Sequence, residues 1–205
     1  NSILHQLNSI DPFYESLIGD STDNLRPDIQ YLKFLFSMMR YNGDDVSVNT
    51  EEFCNLYQET NPDFDVHQQQ DADEFLLQLF DFIPGECLKV FEGKITNIIQ
   101  NVSGRTRVQK SDEIFLTIPI SMTNDSDLQS SLQRYLKRCP IYDDEAKIVA
   151  HRQIVFKKLP PVLIFHLHRF SYSVEQQQKV KINSYFSFPT ALNMDEFVEN
   201  DENNE

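Results

Sequence analysis

The chain has 205 residues, 40% of them hydrophobic and 12% aromatic, with a formal net charge of −14 at pH 7. This length and apolar content support one large or two small folded domains and exclude a disordered chain. The acidic balance argues against nucleic acid as a partner, because that binding needs basic patches, and no apolar run is long enough to imply a membrane partner.

Helical periodicity marks the first third of the chain. Asp11-Pro12 predicts a helix start with Asp11 as the N-cap. A longer helix is expected from Pro27 to the stop signal Asn42-Gly43, and Thr50 is expected to cap a short helix. Apolar residues recur on one face of each segment: Ile3, Leu4 and Leu7; Ile29, Leu32, Leu35, Phe36 and Met39; Phe53, Leu56 and Tyr57.

Another helix is predicted to begin near residues 69–71 and to end at Pro84-Gly85. Asp71 stands where a carboxylate can cap the first N–H groups, and Glu74 would complement the positive end of the helix dipole. The buried side of this helix would carry Phe75, Leu76, Leu79, Phe80 and Ile83.

Strand patterns begin after Phe91. Ser103-Gly104 predicts a hairpin turn, and residues 105–120 are predicted to form one returning strand. Its alternating apolar residues are Ile114, Leu116, Ile118 and Ile120. A short helix is expected over residues 128–135, a loop over residues 138–145 and a further strand over residues 146–156.

A double proline, Pro160-Pro161, opens the next strand, since proline cannot donate to a sheet ladder. The apolar run Val162 to Leu167 predicts a strand buried between two layers. Because helices precede strands and no repeat occurs, the predicted class is α+β.

Five segments carry a family resemblance. They are Asn1–Leu7, His67–Leu76 with its Gln-Gln-Asp-Ala-Asp-Glu-Phe-Leu core, Phe91–Lys94, Leu159–Phe170 and Lys179–Pro189. In this order they resemble the ubiquitin-specific proteases, the papain-like cysteine deubiquitinases, over roughly residues 1 to 198. The resemblance implies that fold, incomplete at both ends, with a helical thumb over residues 1–90, β-rich palm and fingers over residues 91–198, and an acidic, disordered tail over residues 199–205. Ubiquitin would sit between thumb and fingers.

The catalytic groups are expected to lie outside this sequence. A cysteine protease needs a thiolate, a histidine and a group that orients the histidine. By resemblance, the nucleophilic cysteine would precede Asn1 and the Gly-His-Tyr histidine box would follow Glu205. The chain should therefore contain no catalytic residue and be inactive alone.

Three unpaired cysteines, Cys54, Cys87 and Cys139, fit a reducing compartment, so we expect a cytoplasmic or nuclear protein. All three are interpreted as structural thiols, with Cys139 in a charged loop. His166 and His168 share a strand face that could suit a metal, but without a third ligand we interpret them as a structural pair.

Many members of the resembled family hold zinc at the fingertips with two Cys-x-x-Cys pairs. The corresponding segments here, residues 99–102 and 142–145, contain no cysteine. Structural zinc takes four thiolate or imidazole ligands. We therefore predict no metal and no other cofactor, with fingers held only by strand pairing.

Gln69, Asp71 and Glu74 are the candidate binding residues. The resemblance implies that Gln69 hydrogen-bonds the backbone of ubiquitin's C-terminal tail, Arg-Leu-Arg-Gly-Gly, while Asp71 and Glu74 meet its arginines. The alternative is that both carboxylates serve only the helix, as cap and dipole partner. The net charge would either steer the cationic tail or only keep the protein in solution.

The resemblance predicts a segment of a cysteine-type deubiquitinase that cleaves after the terminal glycine of ubiquitin. Its partners would be ubiquitin and ubiquitinated proteins. Two alternatives stay open: a catalytically inactive ubiquitin-binding pseudo-enzyme, and an unrelated α+β interaction module.

Overall fold

A computed structural model describes residues 2–20, 25–41, 47–66, 71–102, 108–122, 125–142, 147–173 and 177–198. The chain divides into two compact units, Asn1–Val90 and Phe91–Glu205. The described part of the first unit is helical, and that of the second combines strands with a helix. The predicted α+β class is confirmed. No helix in the described ranges is long and apolar enough to cross a membrane.

Amphipathic helices build the first unit. Its described helices are α1 (Ser2–Ser9), α2 (Asp11–Gly19), α3 (Pro27–Tyr41), α4 (Glu51–Thr60), α5 (Ala72–Phe80) and α6 (Gly85–Leu88). The stripe predicted on α3 is buried, since Ile29, Leu32 and Phe36 are each 0% exposed. Phe36 meets Phe13 of α2 edge to face, with ring centroids 6.5 Å apart. Burial of these faces against one another stabilises helices that would be marginal alone.

One predicted helix cap is wrong, and a second is correct in position only. Asp11 is the first residue of α2 and makes no cap, because Ile10 occupies the N-cap position. The Asp11 carboxylate instead accepts a hydrogen bond from Arg40 at 2.8 Å. Thr50 does occupy the N-cap position of α4, but its side chain makes no capping bond. The Asn49 side-chain oxygen instead accepts from the Glu51 backbone N–H at 2.9 Å. Asparagine is as good a cap as threonine, so propensity could not decide between these neighbours.

The second unit is built mainly from strands. Its described elements are β1 (Gly93–Asn101), β2 (Val108–Phe115), β3 (Ile118–Ser121), α7 (Leu128–Leu136), β4 (Cys139–Tyr142), β5 (Ile148–Lys158), β6 (Phe165–His168), β7 (Phe170–Ser173), β8 (Gln178–Lys181) and a short 3-10 helix (Asp195–Phe197). Four strands form an antiparallel sheet in the order β2-β1-β5-β4. β3 pairs parallel with β6, and β7 pairs antiparallel with β8.

The single strand predicted over residues 105–120 is wrong. β2 ends at Phe115 and pairs with β1, whereas β3 begins at Ile118 and pairs with β6. Ile114 is consequently 69% exposed and Ile118 only 1% exposed. Residues at alternate positions share a face of the sheet only if the strand between them is continuous. Here the chain passes from one sheet to another between Ile114 and Ile118.

Two further strand predictions need correction. The segment 138–145, predicted as a loop, contains β4, which pairs with β5 across Cys139↔Arg152. The run Val162–Leu167 is not a fully buried strand: β6 begins only at Phe165, and the residues of this run are partly exposed. Within the described residues β6 has one strand neighbour, β3, so it does not lie inside a covered parallel sheet.

A glycine at the start of β1 makes room for an aromatic ring. Gly93 lies directly opposite Phe115 in the β1–β2 register. A β-carbon at Gly93 would lie 2.1 Å from Cζ of Phe115, whose ring packs 5.5 Å from that of the buried Phe156. The glycine lets the ring cover its backbone and reach the core.

Gly93→Ala is therefore expected to lower the free energy of unfolding by about 1–3 kcal/mol, since the Phe115 ring must leave its position. Urea denaturation measures this. Gly19→Ala is the matched control, because a β-carbon there meets nothing within 4 Å. Equal stability of the two variants would contradict the close contact.

Candidate functional site

The N-terminus of α5 carries the two candidate carboxylates that the structure describes. Asp71 is the N-cap residue, with an extended backbone at φ −69° and ψ 129°. Its Oδ1 accepts a hydrogen bond from the Asp73 backbone N–H at 2.8 Å. Its side chain is exposed, and its other oxygen accepts no hydrogen bond from the described residues. Capping thus uses one oxygen and leaves the second available to a ligand.

Glu74 lies in the first turn of the same helix and is exposed. It has no salt-bridge partner among the described residues. The structure therefore brings Asp71 and Glu74 together within one turn. Gln69, the third predicted residue, lies outside the described residues.

Tyr57 of α4 fixes α5 in place. It is 1% exposed, and its hydroxyl donates to Oε1 of Gln78 at 3.1 Å. Its ring meets Phe75 edge to face, with centroids 5.3 Å apart. Phe75 and Gln78 lie three residues apart on one face of α5, so Tyr57 holds the helix at two points. The sequence identified Tyr57 only as a position on the buried face of its helix. A tyrosine on such a face was the available signal, because a buried hydroxyl usually needs a hydrogen-bond partner.

Tyr57 lies near one guanidinium and three carboxylates. Burial raises its pKa from the ordinary 10.0 to about 12; the Arg26 guanidinium opposes this increase, and the carboxylates of Asp28, Glu74 and Asp81 add to it. The sequence from Asp71 to Leu88 contains no lysine or arginine and five acidic residues: Asp71, Asp73, Glu74, Asp81 and Glu86. A cationic ligand would be attracted to this part of the helical unit.

The raised pKa of Tyr57 predicts a loss of stability in alkali. The folded state keeps the proton that the unfolded chain releases near pH 10, so this contribution is complete below pH 10 and disappears as the pH rises to about 12. Unfolding free energies from urea titrations at both ends of this window measure the loss. We expect a smaller loss in Tyr57→Phe, and a loss equal to that of the unsubstituted chain in Tyr41→Phe, because Tyr41 is 88% exposed.

Arg26 ties three parts of the helical unit together. Its Nε and Nη2 donate to the two carboxylate oxygens of Asp28 at 3.1 and 2.9 Å. Nη2 also donates to the Thr60 hydroxyl at 2.5 Å. The guanidinium lies 3.4 Å from the ring centroid of Phe82. The start of α3, the end of α4 and the segment after α5 therefore meet at one side chain.

The three cysteines are free and differ in exposure. Cys87 is buried, and burial raises the pKa of its thiol. Cys54 is partly exposed on α4. Cys139 is exposed and opens β4 rather than lying in the predicted loop; its Sγ is 3.6 Å from the carbonyl oxygen of Arg152. A raised pKa disfavours the thiolate that a nucleophile needs, so Cys87 lacks the environment of an activated cysteine.

His166 and His168 are in contact on β6, with ring centroids 4.5 Å apart and planes at 69°. The described residues contain no group of three or more potential metal ligands. The first fingertip segment, residues 99–102, lies at the end of β1, and Tyr142 of the second segment lies at the end of β4. Both strands pair with β5. Residues 143–145 lie outside the described residues, so the absence of zinc stays a prediction.

Comparison with known proteins decides the family. The family profile described as ubiquitin carboxyl-terminal hydrolase matches residues 1–205, the whole chain. This chain belongs to the ubiquitin carboxyl-terminal hydrolase family. The resemblance predicted from the five sequence segments is thereby confirmed, and the mixed helix-and-strand architecture agrees with it. The division into thumb, palm and fingers, and tail stays a prediction.

Relatives within the ubiquitin carboxyl-terminal hydrolase family are much longer proteins. Ubiquitin carboxyl-terminal hydrolase puf of Drosophila melanogaster is 28% identical over 168 residues, covering 75% of this chain and 4% of the relative. Ubiquitin carboxyl-terminal hydrolase 24 of Homo sapiens is 26% identical over 217 residues, covering 97% of this chain and 8% of the relative. Ubiquitin carboxyl-terminal hydrolase 9X of Mus musculus is 30% identical over 152 residues, covering 65% and 6% respectively. The chain thus spans less than a tenth of each of these relatives.

Proposed function

We propose that this chain is the ubiquitin-binding scaffold of a cysteine-type deubiquitinase, an enzyme that hydrolyses the bond after the terminal glycine of ubiquitin. The observation that carries the proposal is the family match over residues 1–205. The names of its relatives, ubiquitin carboxyl-terminal hydrolases, support the same substrate. Ubiquitin and ubiquitinated proteins are the partners that this function requires.

Asp71 and Glu74 are proposed to bind the two arginines of ubiquitin's C-terminal tail. Both side chains are exposed, and the second oxygen of Asp71 remains available after capping. Carboxylate–guanidinium contacts are charge-assisted and favour paired geometry, which suits two arginines separated by one residue. Gln69 is proposed to hydrogen-bond the backbone of the tail. The net charge of −14 would speed the encounter with this cationic segment.

The nucleophile is proposed to come from outside these residues. Support comes from the thiols themselves, since Cys87 is buried with a raised pKa and Cys139 opens a strand. A ubiquitin probe with a thiol-reactive C-terminus should therefore leave the isolated chain unlabelled. Specific labelling of Cys54, Cys87 or Cys139 would overturn this part of the proposal.

Calorimetric titration of ubiquitin into the chain tests the binding residues. Asp71→Asn keeps an efficient N-cap, so α5 should stay folded while the charge is lost. We expect Asp71→Asn and Glu74→Gln each to weaken binding about five- to tenfold at low salt, because each removes a charge-assisted bond. Added salt should reduce the difference.

Glu52→Gln is the matched control, since Glu52 is an exposed glutamate in the first turn of another helix, α4. It should leave affinity unchanged. Equal effects of Glu52→Gln and Glu74→Gln would indicate a general charge effect, and no measurable ubiquitin binding would favour the unrelated interaction module.

A further inference from the structure

In the part of the chain that the structure describes, β2 is an edge strand of the four-stranded sheet. It pairs with β1 on one side in an unbroken register, from Gly93↔Phe115 to Gln100↔Val108, and stands last in the strand order. All residues from Val108 to Ile114 are exposed, including those on both faces of the strand. Within the described residues, its outer backbone groups therefore have no strand partner.

Most of the features that commonly block edge pairing are absent from β2. The strand is eight residues long, contains no proline and has no register shift against β1. Edge strands are usually blunted by shortness, proline, bulges, a covering element or charge. Within the described residues β2 has only charge among these features, on Lys110, Asp112 and Glu113.

The charges on β2 are complementary to those on a second copy of the same strand. When two copies lie antiparallel with Ser111 opposite Ser111, Lys110 of each copy faces Asp112 of the other, which gives two unlike pairs. In the same register Val108 faces Ile114, which are 51% and 69% exposed. Directly opposed unlike charges and apolar pairs stabilise antiparallel strands, whereas like charges destabilise them. The feature that should prevent pairing thus favours it in this one register.

Asp112 can accept the additional donor. Its Oδ1 accepts from the Thr96 hydroxyl at 2.6 Å, and its Oδ2 contacts Lys94 Nζ at 2.7 Å. An ionised carboxylate has about four acceptor sites, so two remain. Lys110 has no salt-bridge partner among the described residues.

We propose that β2 pairs with β2 of a second copy of this chain, forming a symmetric antiparallel dimer about Ser111. The two four-stranded sheets would join into one continuous sheet. A contact between two strand edges is small, so the dimer is weak and depends on protein concentration.

Sedimentation equilibrium of the chain over a wide concentration range tests this proposal. The ionic strength should be about 0.15 M, because salt then screens the repulsion between two chains that each carry a net charge of −14. Lys110→Asp places Asp opposite Asp twice, and Asp112→Lys places Lys opposite Lys twice. Each should weaken dimerisation at least about tenfold. An equimolar mixture of the two variants restores both unlike pairs and should dimerise like the unsubstituted chain.

Glu113→Gln is the control, because Glu113 faces the uncharged Gln109 in this register; it should not change dimerisation. Hydrogen exchange provides a second readout: amides at alternate β2 positions should gain protection with concentration in the unsubstituted chain but not in Lys110→Asp. Three results would overturn the proposal. The unsubstituted chain could stay monomeric, or Glu113→Gln could weaken dimerisation as much as Lys110→Asp does. The equimolar mixture could also fail to dimerise although both variants keep the hydrogen-exchange protection of their β1–β2 pairing. Ubiquitin binding that is lost in Lys110→Asp without any self-association would overturn it as well.

Discussion

Arg26→Leu is expected to lower the free energy of unfolding by about 3–5 kcal/mol, because it leaves a buried carboxylate without its partner. Asp28 is 0% exposed, and both of its oxygens accept hydrogen bonds from Arg26. Removal of the guanidinium also ends the contacts with Phe82 and Thr60. The segments around α3, α4 and α5 would lose their common anchor.

Urea denaturation followed by circular dichroism measures this loss. Arg138→Leu is the control, since Arg138 is exposed and donates only to Gln100; its change should stay within about 0.5 kcal/mol. The double variant Arg26→Leu with Asp28→Leu should be more stable than Arg26→Leu alone, because no unpaired charge remains. An Arg26→Leu variant as stable as Arg138→Leu would show that the buried pair contributes nothing.

Ile118→Ala is expected to lower the free energy of unfolding by about 2–5 kcal/mol, because it opens a cavity in the core of the second unit. Ile118 is 1% exposed and belongs to the cluster that contains Ile120 and Phe156. Ile114→Ala makes the same chemical change four residues away, at a position that is 69% exposed. Its effect should stay within about 0.5 kcal/mol.

Thermal and urea unfolding of these two variants would therefore distinguish two separate strands, β2 and β3, from one continuous strand. A continuous strand with both isoleucines on one face predicts similar losses for the two substitutions. Similar losses would contradict the change of sheet between Phe115 and Ile118.

The helices were largely predictable because their information is local. The apolar stripe of α3 and the acidic start of α5 can each be identified within one stretch of sequence. Strand limits depend on partners distant in the sequence, and alternation alone could not show that β2 pairs with β1 while β3 pairs with β6. β4 was missed for the same reason, since its pairing with β5 defines it.

The candidate site was predictable to a similar extent. The positions of Asp71 and Glu74 followed from helix-start rules and from the family resemblance. The contacts of Tyr57 with Phe75 and Gln78 join two helices, and no spacing rule connects residues so far apart in the sequence. The hydrogen bonds of Arg26 to Asp28 and Thr60, and its contact with the ring of Phe82, were missed for the same reason.

The most direct test of the central claim, that α5 presents carboxylates to the tail of ubiquitin, is a nuclear magnetic resonance titration of isotope-labelled ubiquitin with this chain. We predict that the arginine and glycine signals of the ubiquitin tail shift and broaden, and that the changes weaken in Asp71→Asn combined with Glu74→Gln. The account would be contradicted if the signals of the ubiquitin tail stay sharp and unshifted at a saturating concentration of this chain. Shifts that are the same with the double variant as with the unsubstituted chain would also contradict it.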